Sequence, residues 1–418
     1  MKRTQVAIIG AGPGGATAAA YLRRAGIECL LIEKDPFPRY HIGESLTGEC
    51  GAIIRDLGLG DEMARRRHPV KHGVKVFGPT GATSWYVPVM RREGDTLVDS
   101  TTWQVRRSDF DAMLLEHARA VGADFMQGEV VNVLRNEQGD VIGVQVRPHD
   151  SQHLLDIDAD VVVDASGLGT FLSRQDVAAP RVPGRYAKQV AIFSQIANPV
   201  RGGEYPDDTL IFYGDKHHWA WFIPLDDEIV SVGVTAPGAY VAARGESKAE
   251  FLRRELHELN PNLAERITDD RLVEEVRAIP NFSYNVPRFT GRGFLCIGDA
   301  HRFIDPIFSF GVYMAMKEAQ LAADAIRDYL DGAHRDAADP FAAYAALSTR
   351  AQDALQETVD GFWDFPLAFA FFVHQRYRED FIDIFAGRLF NAPDTFRGLQ
   401  GLRNLRAHAQ QNQMASTA

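Results

Sequence analysis

With 418 residues, the chain is long enough for two or three domains and for a core that encloses a large cofactor. Its 45% hydrophobic and 24% charged residues exclude a disordered or fibrous chain, and a net charge of −11 argues against general nucleic-acid binding. The three cysteines, Cys29, Cys50 and Cys296, have neither metal-ligand spacing nor the number for a disulfide framework, so no metal is expected and a reducing cytoplasm suits the chain.

Residues 6–9 form an apolar, β-branched run that reads as a buried parallel strand. Gly10, Gly12 and Gly15 follow as GxGxxG. The first permits a tight turn, the second lets a pyrophosphate approach the backbone, and the third lets a helix lie on the sheet. Residues 16–24 continue as that helix, whose N-terminal N–H groups suit phosphates. Residues 29–32 are the next strand, ending at Glu33, where a carboxylate accepts from ribose hydroxyls. Strand, glycines, helix, strand and acid in this order indicate an adenine-dinucleotide site. In the loop over 35–46, Arg39 lies either against that pyrophosphate or in solvent.

Residues 49–57 read as a helix stopped by Gly58 and Gly60. Residues 68–89, with Val74, Val76, Trp85 and Val87 between glycine turns, read as inserted antiparallel β structure. Helix resumes over 105–120, with Phe110, Met113 and Leu114 on one face. Residues 124–163 supply several strands, with a hairpin turn at Gly139-Asp140, and residues 161–163 run into Asp164-Ala165-Ser166-Gly167. Residues 187–236 alternate as a sheet with one covered face. Residues 248–259 and 261–266 read as helices, 294–297 as a buried strand ending in Gly298-Asp299, and 311–330 as a long helix. Residues 340–397 are mostly helical and rich in aromatics, and the tail after about Arg406 reads as frayed. The first strand begins almost at Met1, so no signal peptide is expected, and the apolar stretch 367–373 is too short to span a bilayer.

The expected fold class is α/β. A nucleotide-binding unit is assembled from residues 1–70, 105–184 and 276–335. A β-rich substrate unit comes from 71–104 and 185–275, and a helical region covers 336–418. NAD dehydrogenases keep their nucleotide unit contiguous, so this interleaving favours a flavoprotein.

Three segments carry that further: Gln104-Val105-Arg106-Arg107 with Phe110-Asp111, then Asp164-Ala165-Ser166-Gly167, then Gly298-Asp299. They resemble the glutathione-reductase-type FAD fold of the aromatic hydroxylases. That resemblance implies FAD contacts from Arg107 and from Asp299 on the ribityl chain, with the helix from Gly311 and Val312 aimed at the flavin pyrimidine. Trp219-Ala220-Trp221-Phe222-Ile223-Pro224 matches WxWxIP, the mark of the flavin-dependent halogenases. Asp305-Pro306-Ile307-Phe308-Ser309-Phe310-Gly311-Val312 resembles the DPxFSxGV loop of that family, His41 to Leu46 its GES segment, and Pro69-Val70-Lys71-His72-Gly73 the region of its essential lysine. Residues 373–390, with Arg376-Tyr377-Arg378, resemble the branch that acts on pyrroles held on a carrier protein.

The resemblance implies that reduced FAD, delivered through a separate flavin reductase, and oxygen turn chloride or bromide into hypohalous acid. It places the halide at the backbone of Phe310 and Gly311, where relatives often carry a small polar residue before the glycine. It makes Lys71 the group that holds or activates hypohalous acid beside an electron-rich pyrrole or phenol, free or carrier-bound. Lys75 is the local rival, expected to face solvent. Trp219 and Trp221, two apart on a strand, share a face and form a wall between flavin and substrate. Glu44 and His72 are the candidate bases for the final proton. Phe362, Trp363, Phe365, Phe369, Phe371 and Phe372 either pack helices together or cap the substrate chamber. A homodimer is the working assumption for assembly. The alternative activity is aromatic hydroxylation on the same fold; a double-bond reductase and a catalytically inert flavin-binding protein are the remaining rivals.

Overall fold

The computed structural model describes residues 2–151, 153–269, 271–391 and 393–417. The first strand, Lys2–Ile9, lies parallel to Cys29–Glu33 on one side and to Leu155–Asp164 on the other. Its inner half is fully buried because Val6, Ala7, Ile8 and Ile9 have sheet on both edges and helix above. Phe294–Cys296 extends the sheet in parallel beyond Leu155–Asp164, and Asp124–Arg135 does so beyond Cys29–Glu33. Asp124–Arg135 and Val141–Pro148 form the hairpin expected around Gly139, and the second arm folds back antiparallel on Leu155–Asp164.

Register decides what this sheet can do. Ile9 stands opposite Ile32 and Asp164, and Asp164 stands opposite Cys296. Segments more than 280 residues apart therefore end at one level. The loops that follow them, at Gly10, Asp35, Ala165 and Ile297, share one edge, where ligands of open parallel sheets bind. Helix Pro13–Arg24 crosses this sheet and packs along Gly311–Leu330, the helix whose ends match the sequence expectation.

A second seven-stranded sheet runs Arg277–Pro280, Gln189–Ala197, Ile229–Pro237, Trp219–Pro224, Thr209–Tyr213, Gly73–Phe77, Ser84–Pro88. Only Thr209–Tyr213 and Gly73–Phe77 pair in parallel. The expectation of one covered face is corrected here. Ile211, Trp219 and Trp221 face the main core, while Phe212, Ala220 and Phe222 pack under helix Lys248–Glu258 through Phe251, Leu252 and Leu256. Both faces are covered, and Trp219–Pro224 is buried at every position.

The C-terminal region is helical as expected, from Ala342–Asp364 through Arg378–Ala386. Phe362 and Phe369 pack with Trp85, Phe308 and Phe385, so these aromatics serve as core. The expected fraying after Arg406 is also corrected: the backbone is helical over Arg397–Thr417, anchored by buried Leu399 and Leu402, and only Ala418 of that tail lies outside the described residues. Several elements carried no sequence expectation, among them the short helices Gly60–Arg65 and Gly238–Arg244, the strand Arg277–Pro280 and the hairpin Met90–Glu93 with Thr96–Asp99.

The helix–sheet crossing depends on Gly15. A Cβ there would stand 1.9 Å from the Gly10 carbonyl oxygen, which is backbone and cannot swing away. Gly15→Ala is expected to destabilise the protein by about 3 kcal/mol or more, the cost of overpacking against a fixed atom. Thermal melting of the cofactor-free protein measures this.

Candidate functional site

The three glycines have different reasons to be glycine. Gly10 has φ +99, and a Cβ on it would lie 2.6 Å from the Ala165 carbonyl. Gly15 is pressed on Gly10, at the crossing of helix and strand. Gly12 has neither constraint: the nearest atom to a Cβ there is Arg39 Nη2, at 3.7 Å. Its missing side chain leaves space toward a cavity of about 1070 Å³.

Around that space the side chains are polar and only partly satisfied. Glu33 Oε2 accepts from the Ala11 N–H at 2.9 Å and Oε1 from the Asp35 N–H at 3.0 Å. Arg39 is not a solvated loop residue. It lies over the Phe37 ring, reaches Glu33 at 3.4 Å and Asp111 at 3.5 Å, and its buried Nε has no hydrogen-bond partner. Arg107 grips Asp111 with two charge-assisted bonds, 2.7 and 2.9 Å, and donates to the Ile42 carbonyl at 2.5 Å. Burial works against the Arg107 charge, but Asp111 keeps its pKa above the ordinary arginine value.

Asp299 enters from the turn after Phe294–Cys296. Burial pushes its carboxyl up to about 7, against the pull of Arg107. Beneath it, Glu318 accepts from the Gly298 N–H at 2.6 Å, from His301 Nε2 at 2.9 Å and from Ser348 at 2.7 Å, which locks the turn to helix Gly311–Leu330. The loop before that helix turns at Ser309, φ +60. Gly311 is exposed at the first helical position and a Cβ on it would meet nothing within 4 Å. The first-turn N–H groups of Gly311–Leu330 lack intrahelical acceptors, so the helix start offers unpaired donors beside the cavity that Gly311 and Val312 line. Phe310 is buried at the cap and lines the same cavity, as does Val312.

The far wall is the second sheet. Trp219 and Trp221 share a face, their ring centroids 5.7 Å apart. Trp221 Nε1 donates to Ser231 at 3.1 Å, and its ring lies over Gly233, where a Cβ would come within 2.2 Å of it. Glu44 reaches the cavity from the loop before helix Gly48–Asp56. Gln195 donates to its Oε1 at 3.1 Å, Oε2 has no hydrogen-bond partner, and burial pushes the carboxyl up to about 7.

Lys71 is 2% exposed, and burial pulls its amine down to about 8. Nζ donates to Ser45 Oγ at 2.8 Å and to the Leu46 carbonyl at 2.9 Å. Asp208 clamps the adjoining strand, accepting from the His72 and Gly73 N–H groups at 2.6 and 2.9 Å and from the Tyr86 hydroxyl at 2.8 Å. Lys75 is half-buried, its ammonium 5.1 Å above the Phe77 ring. His72 stacks on Tyr205 and does not line the cavity.

One cavity thus gathers Gly10, Gly12, Glu33, Arg39, Glu44, Arg107, Trp219, Trp221, Asp299, Phe310, Gly311 and Val312. Three expected residues stand outside its lining: Gly15, which packs the fold, His72, which stacks on Tyr205, and Lys71, which lies behind Ser45. Ser45, Thr209, Asp111 and Asp208 carried no expected role. Of these, Ser45 had a local signal in the GES segment and Asp111 in the segment that begins at Gln104.

The donor set fits FAD. A glycine loop and helix N-terminus open onto the cavity, Arg39 has a free buried donor, and Glu33 and Asp299 stand at the two strand ends where ribose and ribityl hydroxyls need acceptors.

The family model described as FAD binding domain matches residues 3–354. The chain is 36% identical, over 95% of its own length and 96% of the relative's, to the 1H-pyrrole-2-carbonyl-[peptidyl-carrier protein] brominase of Pseudoalteromonas luteoviolacea. It is 29% identical, over 92% and 89%, to the corresponding chlorinase of Pseudomonas fluorescens. Among solved structures, the flavin-dependent brominase Bmp2 superposes with a TM-score of 0.91 at 33% identity, covering 98% of this chain and all of that one. The myxobacterial chondrochloren halogenase CndH does so with 0.80 at 28%, covering 97% of each. The chain belongs to the FAD-binding family and, within it, to the flavin-dependent halogenases. It is an oxidoreductase that uses reduced FAD, oxygen and a halide to halogenate an aromatic substrate.

The contrast between two glycines is testable. Gly12→Val, at φ −69 with open space around it, is expected to leave the melting temperature of the cofactor-free protein within a few degrees of wild type and to yield colourless protein. Absorbance near 450 nm after incubation with FAD, compared with the melting curve, checks both halves.

Proposed function

We propose that the substrate is a pyrrole-2-carbonyl group held as a thioester on a peptidyl carrier protein. One observation carries this: both relatives that act on that substrate match this chain over about nine tenths or more of both lengths. A separate flavin reductase supplies the reduced cofactor. Cys29, Cys50 and Cys296 are buried and free, which suits the cytoplasm as the site of action. Among the described residues no helix is long and apolar enough to cross a membrane. We assign FAD binding to residues 1–70, 105–184 and 276–335, the substrate wall to 71–104 and 185–275, and packing of the two to 336–418.

Glu33 and Arg39 hold the adenosine and pyrophosphate, Arg107 braces the loop at Gly43, and Asp299 orients the ribityl chain. When bound, reduced FAD together with oxygen oxidises the halide to hypohalous acid. The helix N-terminus at Phe310 and Gly311 holds the halide, where partial positive charge and free N–H groups favour an anion. The paired indoles form a rigid apolar wall that keeps water and the acceptor ring away from the cofactor. Lys71 supplies positive charge and a proton to the oxygen of hypohalous acid. The ring attacks the halogen, and the Glu44 carboxylate takes the ring proton. Glu44 serves here because its Oε2 is unpartnered and the residue lines the cavity; His72 also has an unpartnered ring nitrogen, Nδ1, but stacks on Tyr205 and does not line the cavity.

The signs of the two shifts set a pH window. Glu44 acts as a base only when ionised, above about 7, and Lys71 as a cation only when protonated, below about 8. Halogenation is expected to rise through pH 7 and fall through pH 8, and Glu44→Gln is expected to remove the acidic limb. Lys71→Ala is expected to lower halogenation by at least about a hundredfold, the scale of a lost general acid. FAD affinity and oxygen-dependent flavin reoxidation should survive that change. Mass spectrometry of carrier-bound pyrrole and of free phenols with bromide, beside reoxidation rates, reads the outcome; loss of FAD binding would make Lys71 structural.

A further inference from the structure

The buried amine at position 71 is separated from the cavity by one hydroxyl group. Lys71 Nζ donates to Ser45 Oγ at 2.8 Å, and Ser45 lines the cavity where Lys71 does not. Ser45 Oγ and Thr209 Oγ1 are 2.6 Å apart, and Thr209 also lines the cavity, on the strand face it shares with Ile211.

The hydrogens can be counted. Gln104 Nε2 donates to the Asp207 carbonyl at 3.0 Å, so that end of its side chain is the NH₂ group. Its second hydrogen therefore goes to Thr209 Oγ1, at 2.9 Å. The Leu46 carbonyl can only accept, so it takes a hydrogen from Lys71. With Lys71 charged, Ser45 Oγ accepts from the ammonium. Ser45 and Thr209 have two hydroxyl hydrogens but only one oxygen–oxygen contact between them. One hydrogen occupies that contact and the other is uncommitted within the network. If Ser45 donates to Thr209, the uncommitted hydrogen is on Thr209; if Thr209 donates, it is on Ser45. Either arrangement is an unbroken chain of donors from Lys71 Nζ to the cavity, and every link passes through Ser45.

Resting on the halogenase mechanism above, we infer that Ser45 is a proton relay, and that Lys71 acts on hypohalous acid through the Ser45 hydroxyl rather than by touching it. The ring's π electrons form the C–X bond and the O–X bond breaks with its electron pair left on oxygen. That oxygen takes the hydroxyl proton of Ser45, directly or by way of Thr209, and leaves as water. Ser45 is refilled by a proton from Lys71, which becomes the neutral amine. The ring cation loses its C–H proton to Glu44, and before the next cycle Glu44 releases that proton to solvent and Lys71 takes one back from it. No heavy atom of the wall moves, and the amine never leaves its buried seat.

The test compares Ser45→Ala, Ser45→Thr and Thr209→Val. With bromide and pyrrole-2-carbonyl carrier protein, and in parallel a free phenol, the product formed per flavin reoxidised is measured from pH 6 to 9.5. Ser45→Ala is expected to lose at least about tenfold, and the residual activity is expected to lack the limb near pH 8, because Lys71 no longer communicates with the cavity. Ser45→Thr, which keeps a hydroxyl, is expected to restore both. A Ser45→Ala enzyme that keeps wild-type yield, or keeps the limb near pH 8, overturns the relay, since Lys71 would then reach the oxidant by itself. Failure on the carrier-bound pyrrole with success on the phenol refutes only the substrate assignment. A second readout needs no cofactor or turnover: the titration of Lys71 in apoprotein carrying [¹³Cε]lysine, followed by NMR. Removing an acceptor from the ammonium is expected to lower its midpoint in Ser45→Ala. Thr209→Val, which does not touch Lys71, is also expected to shift it through Ser45. Midpoints identical to wild type in both variants refute the hydrogen-bond chain.

Discussion

Strand register is the constraint on which this molecule depends. Because Ile9, Ile32, Asp164 and Cys296 end at one level, four loops converge that are scattered from residue 10 to residue 299. Parallel strands impose this, since each must start again from the far side after a crossover and stop where its neighbour stops. Gly15, pressed on the Gly10 carbonyl, keeps the first helix close enough to the sheet for the loops to face one cavity.

That rigid frame makes costly electrostatics affordable. Groups facing or backing the cavity are held off their ordinary titration by burial, among them Lys71 near 8, Glu44 near 7, Asp299 near 7 and Asp305 near 7. Each loses hydration that its surroundings only partly replace, and such groups cluster where function selects for them. Chemistry is divided between two sheets. The parallel sheet supplies backbone donors and acceptors for the cofactor. The second sheet supplies the indoles and the Thr209 hydroxyl, and its outer face is sealed by helix Lys248–Glu258, so that wall is stiff; the amine comes from the two-stranded pairing of Val70–Lys71 with Thr102–Trp103, and the Ser45 hydroxyl from the loop before Gly48–Asp56.

The nucleotide half was legible because its signals are local. Apolar runs, three glycines at fixed spacing and an acid at a strand end each lie within one supersecondary unit. The Gly311–Leu330 helix was read to its ends for the same reason. The second sheet was read less well. Trp219-Ala220-Trp221-Phe222-Ile223 is nearly continuous apolar sequence, which signals two covered faces, whereas alternation in its neighbours suggested one. The tail after Arg406 has a weak apolar stripe, and its helix depends on Leu399 and Leu402 packing against elements far away in sequence.

The halogenase site divides the same way. Taken alone, the chain determined a dinucleotide cradle, a pair of indoles on one strand face and a long helix starting at Gly311, because periodicity and spacing fix which backbone groups and which faces are available. Only the tertiary structure decided that Lys71 is buried behind Ser45 rather than solvated, and that Arg39 lies over the glycine loop. It also decided that Glu44 keeps an unpaired oxygen while His72 is turned away. Those outcomes depend on partners at Leu46, Gln104, Asp111 and Asp208, brought within hydrogen-bond or ion-pair reach by sheet pairing. The desolvation that tunes a titratable group is a property of everything packed around it, and no local stretch of sequence contains that information.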